Sequence, residues 1–194
     1  MQDLFAEGGI GGTFGHPDWM NEKGEVVGFA TTAGDQVGHG FLWSNGTMID
    51  LGTLGTDPFS EAASINSHGQ IVGGTFILGV ADLRGFLWEN GGPMVDLNTL
   101  LLRSSNIYII GAAIINYRGE IDCFVSDDGG VTDHPCLLIP CDENHPGVEG
   151  CDYSLVDSTT APHNQSEPAM SPKRFQQLRR GLGAHGRGVR GTHN

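Results

Sequence analysis

Two copies of one apolar run, Gly40-Phe41-Leu42-Trp43 and Gly85-Phe86-Leu87-Trp88, lie 86 − 41 = 45 residues apart, each trailed by an Asn-Gly pair and an Asp-Leu pair. A bulky motif returning at such a period builds its core by stacking copies of one small unit, which points to a solenoid or a propeller. The repeat reports how a core is made. It does not report what the surface binds.

A second motif keeps the same period. Met20-Asn21-Glu22-Lys23-Gly24-Glu25-Val26-Val27-Gly28 matches Ile65-Asn66-Ser67-His68-Gly69-Gln70-Ile71-Val72-Gly73, and a weaker copy runs from Ile115-Asn116 through Gly119-Glu120-Ile121 to Cys123. Gly28 to His39, Gly73 to Arg84 and Cys123 to His134 each span 11 residues, with Gly34, Gly79 and Gly129 at the same place in each interval.

Each unit reads as short strands. Residues 26–31 run apolar, Gly34 turns the chain, and residues 38–43 return as a partner. Asn45-Gly46 suits a two-residue type I′ hairpin, which needs positive φ at both central positions. Residues 47–51 give a third strand and residues 61–65 a fourth, before Asn66-Ser67-His68-Gly69 leads into the next unit. The second unit follows suit through Asn90-Gly91-Gly92, residues 94–97 and a strand near 109–115, while the third ends at residues 134–139 without a further hairpin. The expected fold is all-β: antiparallel four-stranded repeats of about 45 residues forming a partial or open β-propeller. Phe41, Trp43, Phe86 and Trp88 are its expected repeat core, and residues 1–140 its span. About three units fall short of the four to eight that close a ring. A fragment of a longer propeller is therefore expected, with open blade edges available for self-association.

Composition limits the partners. With 31 glycines the chain favours turns over helices. The net charge of −13 hides an asymmetry, because Lys23, Arg84, Arg103 and Arg118 are the only Lys or Arg before residue 160. The acidic body would repel nucleic acid. No apolar run approaches the roughly 20 residues of a membrane span, and the opening residues show no secretory signal.

The segments His39-Gly40-Phe41-Leu42-Trp43, Asp50-Leu51-Gly52-Thr53-Leu54-Gly55 and Ile65-Asn66-Ser67-His68-Gly69-Gln70-Ile71-Val72-Gly73 together resemble the HAF repeat family of probable extracellular bacterial repeats. The family's His-Ala-Phe triplet is matched imperfectly: His39-Gly40-Phe41 departs at its middle residue, Arg84-Gly85-Phe86 at its first two and His134-Pro135-Cys136 at its last two. Residues 138–154 are similar to the closing segment of soil-bacterial members. The resemblance covers about residues 1–155. It implies a propeller-like fold, an extracellular or cell-surface location, and longer relatives carrying an export signal and more repeats. It implies no reaction and supplies no catalytic residue.

Four cysteines allow three full pairings. Cys141 and Cys151 bound a loop, residues 141–157 forming a closing segment, and the loop's Pro146, Gly147 and Gly150 let the chain bend back for a disulfide. Cys123 and Cys136 stand across a hairpin turning near Gly129 and replace Gly28 and Phe41 of the first unit, so a second bridge is expected there. Cys141, Asp142, Glu143, His145, Glu149, Cys151 and Asp152 could ligate metal, but their spacing matches no zinc motif. Asp127-Asp128-Gly129-Gly130 lacks the alternating oxygens of a calcium loop. No metal and no cofactor is expected.

His39, Arg84 and His134 share one repeat position, and a site accepting either His or Arg suits a strand-end polar contact better than a general base. Asp50 and Asp96 also recur and suit hydrogen bonds to adjoining turns. Residues 158–194 form a basic, mostly disordered tail, with a short amphipathic helix readable at 171–182. The expected function is a non-enzymatic repeat module of an exported or surface protein, a scaffold or a binding surface for protein or glycan. The alternative is a glycan-active hydrolase or lyase using the non-recurring acids Asp18, Glu61 or Asp57, since catalytic groups should break the repeat and converge.

Overall fold

The structure, a computed structural model, describes residues 3–5, 9–79, 83–101, 107–127, 132–148 and 151. The tail expectations, residues 158–194 with the helix at 171–182, lie outside the described residues.

Every described strand belongs to one of three consecutive antiparallel units. The first holds β1 (Gly11–Met20), β2 (Val26–Thr32), β3 (Gly38–Ser44) and β4 (Thr47–Asp50). The second holds β5 (Phe59–Ile65), β6 (Gln70–Phe76), β7 (Leu83–Glu89) and β8 (Val95–Asp96), followed by a single 3-10 turn at Leu97–Leu100. The third holds β9 (Tyr108–Ile115), β10 (Ile121–Ser126) and β11 (His134–Leu138). One parallel bridge, Gly38 to Phe59, joins the first two units into a mixed eight-stranded sheet. The architecture is all-β, and the described residues close neither a barrel nor a propeller.

The unit boundary differs from the one expected. Residues 61–65 do not finish the first unit, because the turn at Asn66 folds Ile65 back onto Ile71 and the strand pairs forward. By the same logic β1 opens the first unit. Its three glycines and Pro17 hide the period of two by which a strand is usually read.

The turn between the first two strands of each unit is held by an asparagine side chain. Asn21 Oδ1 accepts from Lys23 N and Glu25 N, both at 3.0 Å; Asn66 Oδ1 accepts from His68 N at 3.0 Å and Gln70 N at 3.1 Å; Asn116 Oδ1 accepts from Arg118 N at 2.9 Å and Glu120 N at 3.1 Å. Each turn also needs its glycine, since Gly24, Gly69 and Gly119 have φ of 75°, 79° and 81°, a region costly for a residue with a Cβ. The asparagines then link the units. Asn21 Nδ2 donates to the Asn66 carbonyl at 3.0 Å, and Asn66 Nδ2 to the Asn116 carbonyl at 2.9 Å. Asp142 builds a fourth turn of this kind, accepting from Asn144 N through Oδ1 and from His145 N through its carbonyl.

Two apolar clusters lie between the units, one on each face of the second. Ile71, Phe86 and Trp88 pack with Val27, Leu42, Leu51 and Leu54 of the first unit. Val72 and Leu87, pointing to the opposite face as neighbours in a strand must, pack with Ile109, Ile115, Ile121 and Val125 of the third. Of the expected repeat core, Phe41, Phe86 and Trp88 are buried. Trp43 is only half-buried: Leu42 faces the second unit, so Trp43 projects from the other side of β3, where no unit among the described residues covers it.

Candidate functional site

The three opening strands share a distortion. Against the second strand of their unit, β1, β5 and β9 each leave one residue unpaired at the same repeat position: Asp18 between Pro17 and Trp19, Ala63 between Ala62 and Ser64, and Ala113 between Ala112 and Ile114, while β1 and β9 each carry a further register shift, after Gly11 and at Ile110. Such a bulge re-aims side chains and is commonly found beside functional sites. In the first two units it brings backbone over a glycine. A Cβ on Gly28 would collide with the His16 carbonyl, and one on Gly73 with the Glu61 carbonyl. The glycines ending Val-Val-Gly and Ile-Val-Gly thus let the chain bend where His16 and Glu61 stand.

His16 and Glu61 are themselves repeat equivalents, 61 − 16 = 45 residues apart, and they meet across the first two units. His16 Nε2 lies 3.2 Å from Glu61 Oε1 and 3.7 Å from Asp18 Oδ2, and one ligand atom from each of the three lies within 4.8 Å of the others. The imidazole is positioned by Phe29, stacked at 5.5 Å and 24°, with Phe14 against its edge at 6.1 Å. Burial pushes the Asp18 carboxyl above its ordinary value, and the Glu61 charge adds to this while His16 opposes it. Asp18 and Glu61 were the acids expected to break the repeat. The structure brings them together, with a histidine whose part was not read from the sequence.

Asp57, the third acid considered for chemistry, lies elsewhere. Buried, it pairs with Arg84 at 2.6 Å and accepts from Thr75 Oγ1 at 2.6 Å, a closed arrangement with no room for substrate. Recurrent positions act as pairs: His39 Nδ1 bonds Asp50 Oδ1 at 2.9 Å, and Arg84 lies 3.9 Å from Asp96. Asp50 and Asp96 also accept from Gly52 N and Asn98 N, each at 2.8 Å. His134 is exposed at the start of β11.

The cysteines form two bridges, Cys123 to Cys136 and Cys141 to Cys151, with Cα separations of 5.0 and 5.4 Å. Cys123 faces Cys136 directly across β10 and β11. Bridged sulfurs are not thiolates, so the cluster around residues 141–152 loses its soft ligands. Its buried His145 is held by Asp142 Oδ1 at 2.7 Å and Glu120 Oε1 at 3.1 Å. Glu149 and Asp152 lie outside the described residues, as do Asp128, Gly129 and Gly130.

Among the described residues, three carboxyls are held below their ordinary values. Burial works against Asp50, but bonds from His39 and Gly52 N outweigh it; the Asn116 amide leads in lowering Glu120, and the Thr31 hydroxyl in lowering Asp35. Their stabilisation is complete above the ordinary carboxyl range of about 4 and is lost as pH falls through their depressed values. Asp18 acts oppositely, since acidification through its raised value removes a charge that is partly desolvated and faces Glu61. We expect midpoints from urea melts to change little between pH 7 and 5 and to fall steeply below about pH 4, with Asp50→Asn flattening that acid limb. An unchanged limb in the variant would remove Asp50 from this account.

The chain matches no family model, no curated protein and no solved structure.

Proposed function

We propose that the chain is a non-enzymatic, propeller-type repeat module of an exported or surface protein, offering a binding surface for protein or glycan, as its resemblance to the HAF repeats implies. The single observation that carries this is the shared opening of three successive units, each beginning with a bulged strand and an asparagine-held turn. Such units act as blades, and blade edges and loops make surfaces that vary without disturbing the core. The two disulfides accord with an oxidising compartment.

The convergence of Asp18 and Glu61 favours a second reading, a glycan-active hydrolase. The arrangement weighs against it. A glycosidase needs its two carboxyls free to flank the scissile bond, whereas here both lie against the same imidazole nitrogen, His16 Nε2, at 3.2 Å from Glu61 and 3.7 Å from Asp18. Incubating the chain with a panel of bacterial and plant polysaccharides separates the two. Saturable retention on one of them, with no release of reducing ends and no new absorbance from unsaturated uronates, is the expected result. Turnover lost in Glu61→Gln would replace the binding module with the enzyme.

A further inference from the structure

We propose that His16, Asp18 and Glu61 form a binding site for a first-row divalent transition ion, with zinc as the test case. The three side chains come from the opening strands of two units, so folding rather than sequence proximity gathers them. A four-coordinate ion bonding at about 2.0–2.2 Å holds its ligands roughly 3.0–3.5 Å apart. His16 Nε2 lies 3.2 and 3.7 Å from the two carboxylates, whose ligand atoms lie within 4.8 Å of each other, so rotation of these partly exposed side chains would bring all three to that spacing.

Three further features support the ion. Neither carboxylate pairs with a Lys or Arg among the described residues, so two negative charges face each other with only an imidazole between them. The third unit carries Gly111 and Ala113 where the first carries His16 and Asp18. The donor set is therefore confined to the first two units. Finally, the stack on Phe29 fixes the ring plane with Nε2 bonded to Glu61 and 3.7 Å from Asp18. One imidazole and two carboxylates suit zinc or its neighbours, whereas calcium prefers six to eight oxygens. Three protein ligands leave a position for water or for an oxygen of a bound molecule. The site stands on geometry, independently of whether the module's partner is protein or glycan.

The test is titration of the full chain, oxidised and freed of metal by chelator, with zinc chloride while the histidine ring resonances are followed by NMR. The His16 signals are assigned by their loss in His16→Gln. They are expected to move to saturation with one equivalent of zinc, and the Asp18→Asn and Glu61→Gln variants to weaken this response roughly tenfold or more. Following the His16 ring rather than total zinc uptake keeps any zinc taken by His163, His185 or His193 out of the readout. An unmoved His16 ring, a response surviving at parental affinity in both the Asp18→Asn and the Glu61→Gln variant, or an equal response to calcium chloride would each overturn the proposal. The parental titration does not depend on any variant folding.

Discussion

Replacing Asn66 by Ala is expected to lower the unfolding free energy by about 3 to 4 kcal/mol, from four hydrogen bonds, two buried and two partly buried, at about 1 kcal/mol each. The side chain accepts from His68 N and Gln70 N, and donates to Gln70 Oε1 at 2.6 Å and the Asn116 carbonyl at 2.9 Å. Asn66 is only 4% exposed, so water cannot readily replace these partners, and groups left unpaired carry a desolvation penalty. Asn66→Asp should be no milder. It keeps both acceptor bonds, but it loses the two donors and sets a charge against the Asn116 carbonyl. Urea melts followed by tryptophan fluorescence would measure the loss, and a midpoint within error of the parent would discard the structural role given to this residue.

Removing the Cys123 to Cys136 bridge by double substitution to alanine is expected to cost about 3 kcal/mol, with a similar loss for Cys141 and Cys151, by the chain-entropy account of loops of this size. The sequence separations are 13 and 10 residues. Their structural consequences should differ. Cys123 is fully buried in the cluster between the second and third units, so its loss acts on the stack itself. The Cys141 bridge encloses the turn that holds His145 against Glu120, and its loss should free that turn first. Hydrogen exchange of the two double variants separates these outcomes: faster exchange in β9 and β10 for the first, and at residues 142–147 for the second. Coincident unfolding curves with and without reductant would remove both bridges from the stability of the chain.

The repeat was legible because large apolar side chains and turn glycines recur in register, as Phe41 with Phe86 and Gly28 with Gly73. Asp50 and Asp96 could also be placed, since an aspartate before a turn has a local partner to find. The strand β1 was not legible, because Gly11, Gly12, Gly15 and Pro17 carry no alternation to read. The grouping of His16 with Asp18 and Glu61 needs the bulge that turns Asp18 out of the ladder, and a bulge is a property of two paired strands. It left one signal in the sequence: His16 and Glu61 lie at the repeat spacing, though they differ in kind. The bonds from Asn21 to Asn66 and from Asn66 to Asn116 were equally hidden, since the motif showed a turn and gave no sign that its amide also reaches the neighbouring unit.

Those amide bonds give the stack a grammar. Each asparagine offers a carbonyl backward and an NH2 forward, so any unit bearing the turn can follow any other, and a unit set in reverse would face carbonyl with carbonyl. The two steps, 66 − 21 = 45 and 116 − 66 = 50 residues, are unequal, so the joint fixes the turns and leaves the intervening loops free to lengthen. A gene encoding such a chain can gain or lose whole units by duplication without devising a new interface. An aspartate in the same turn, as at Asp142, keeps the acceptor that holds the turn but carries no NH2 to offer a neighbouring unit.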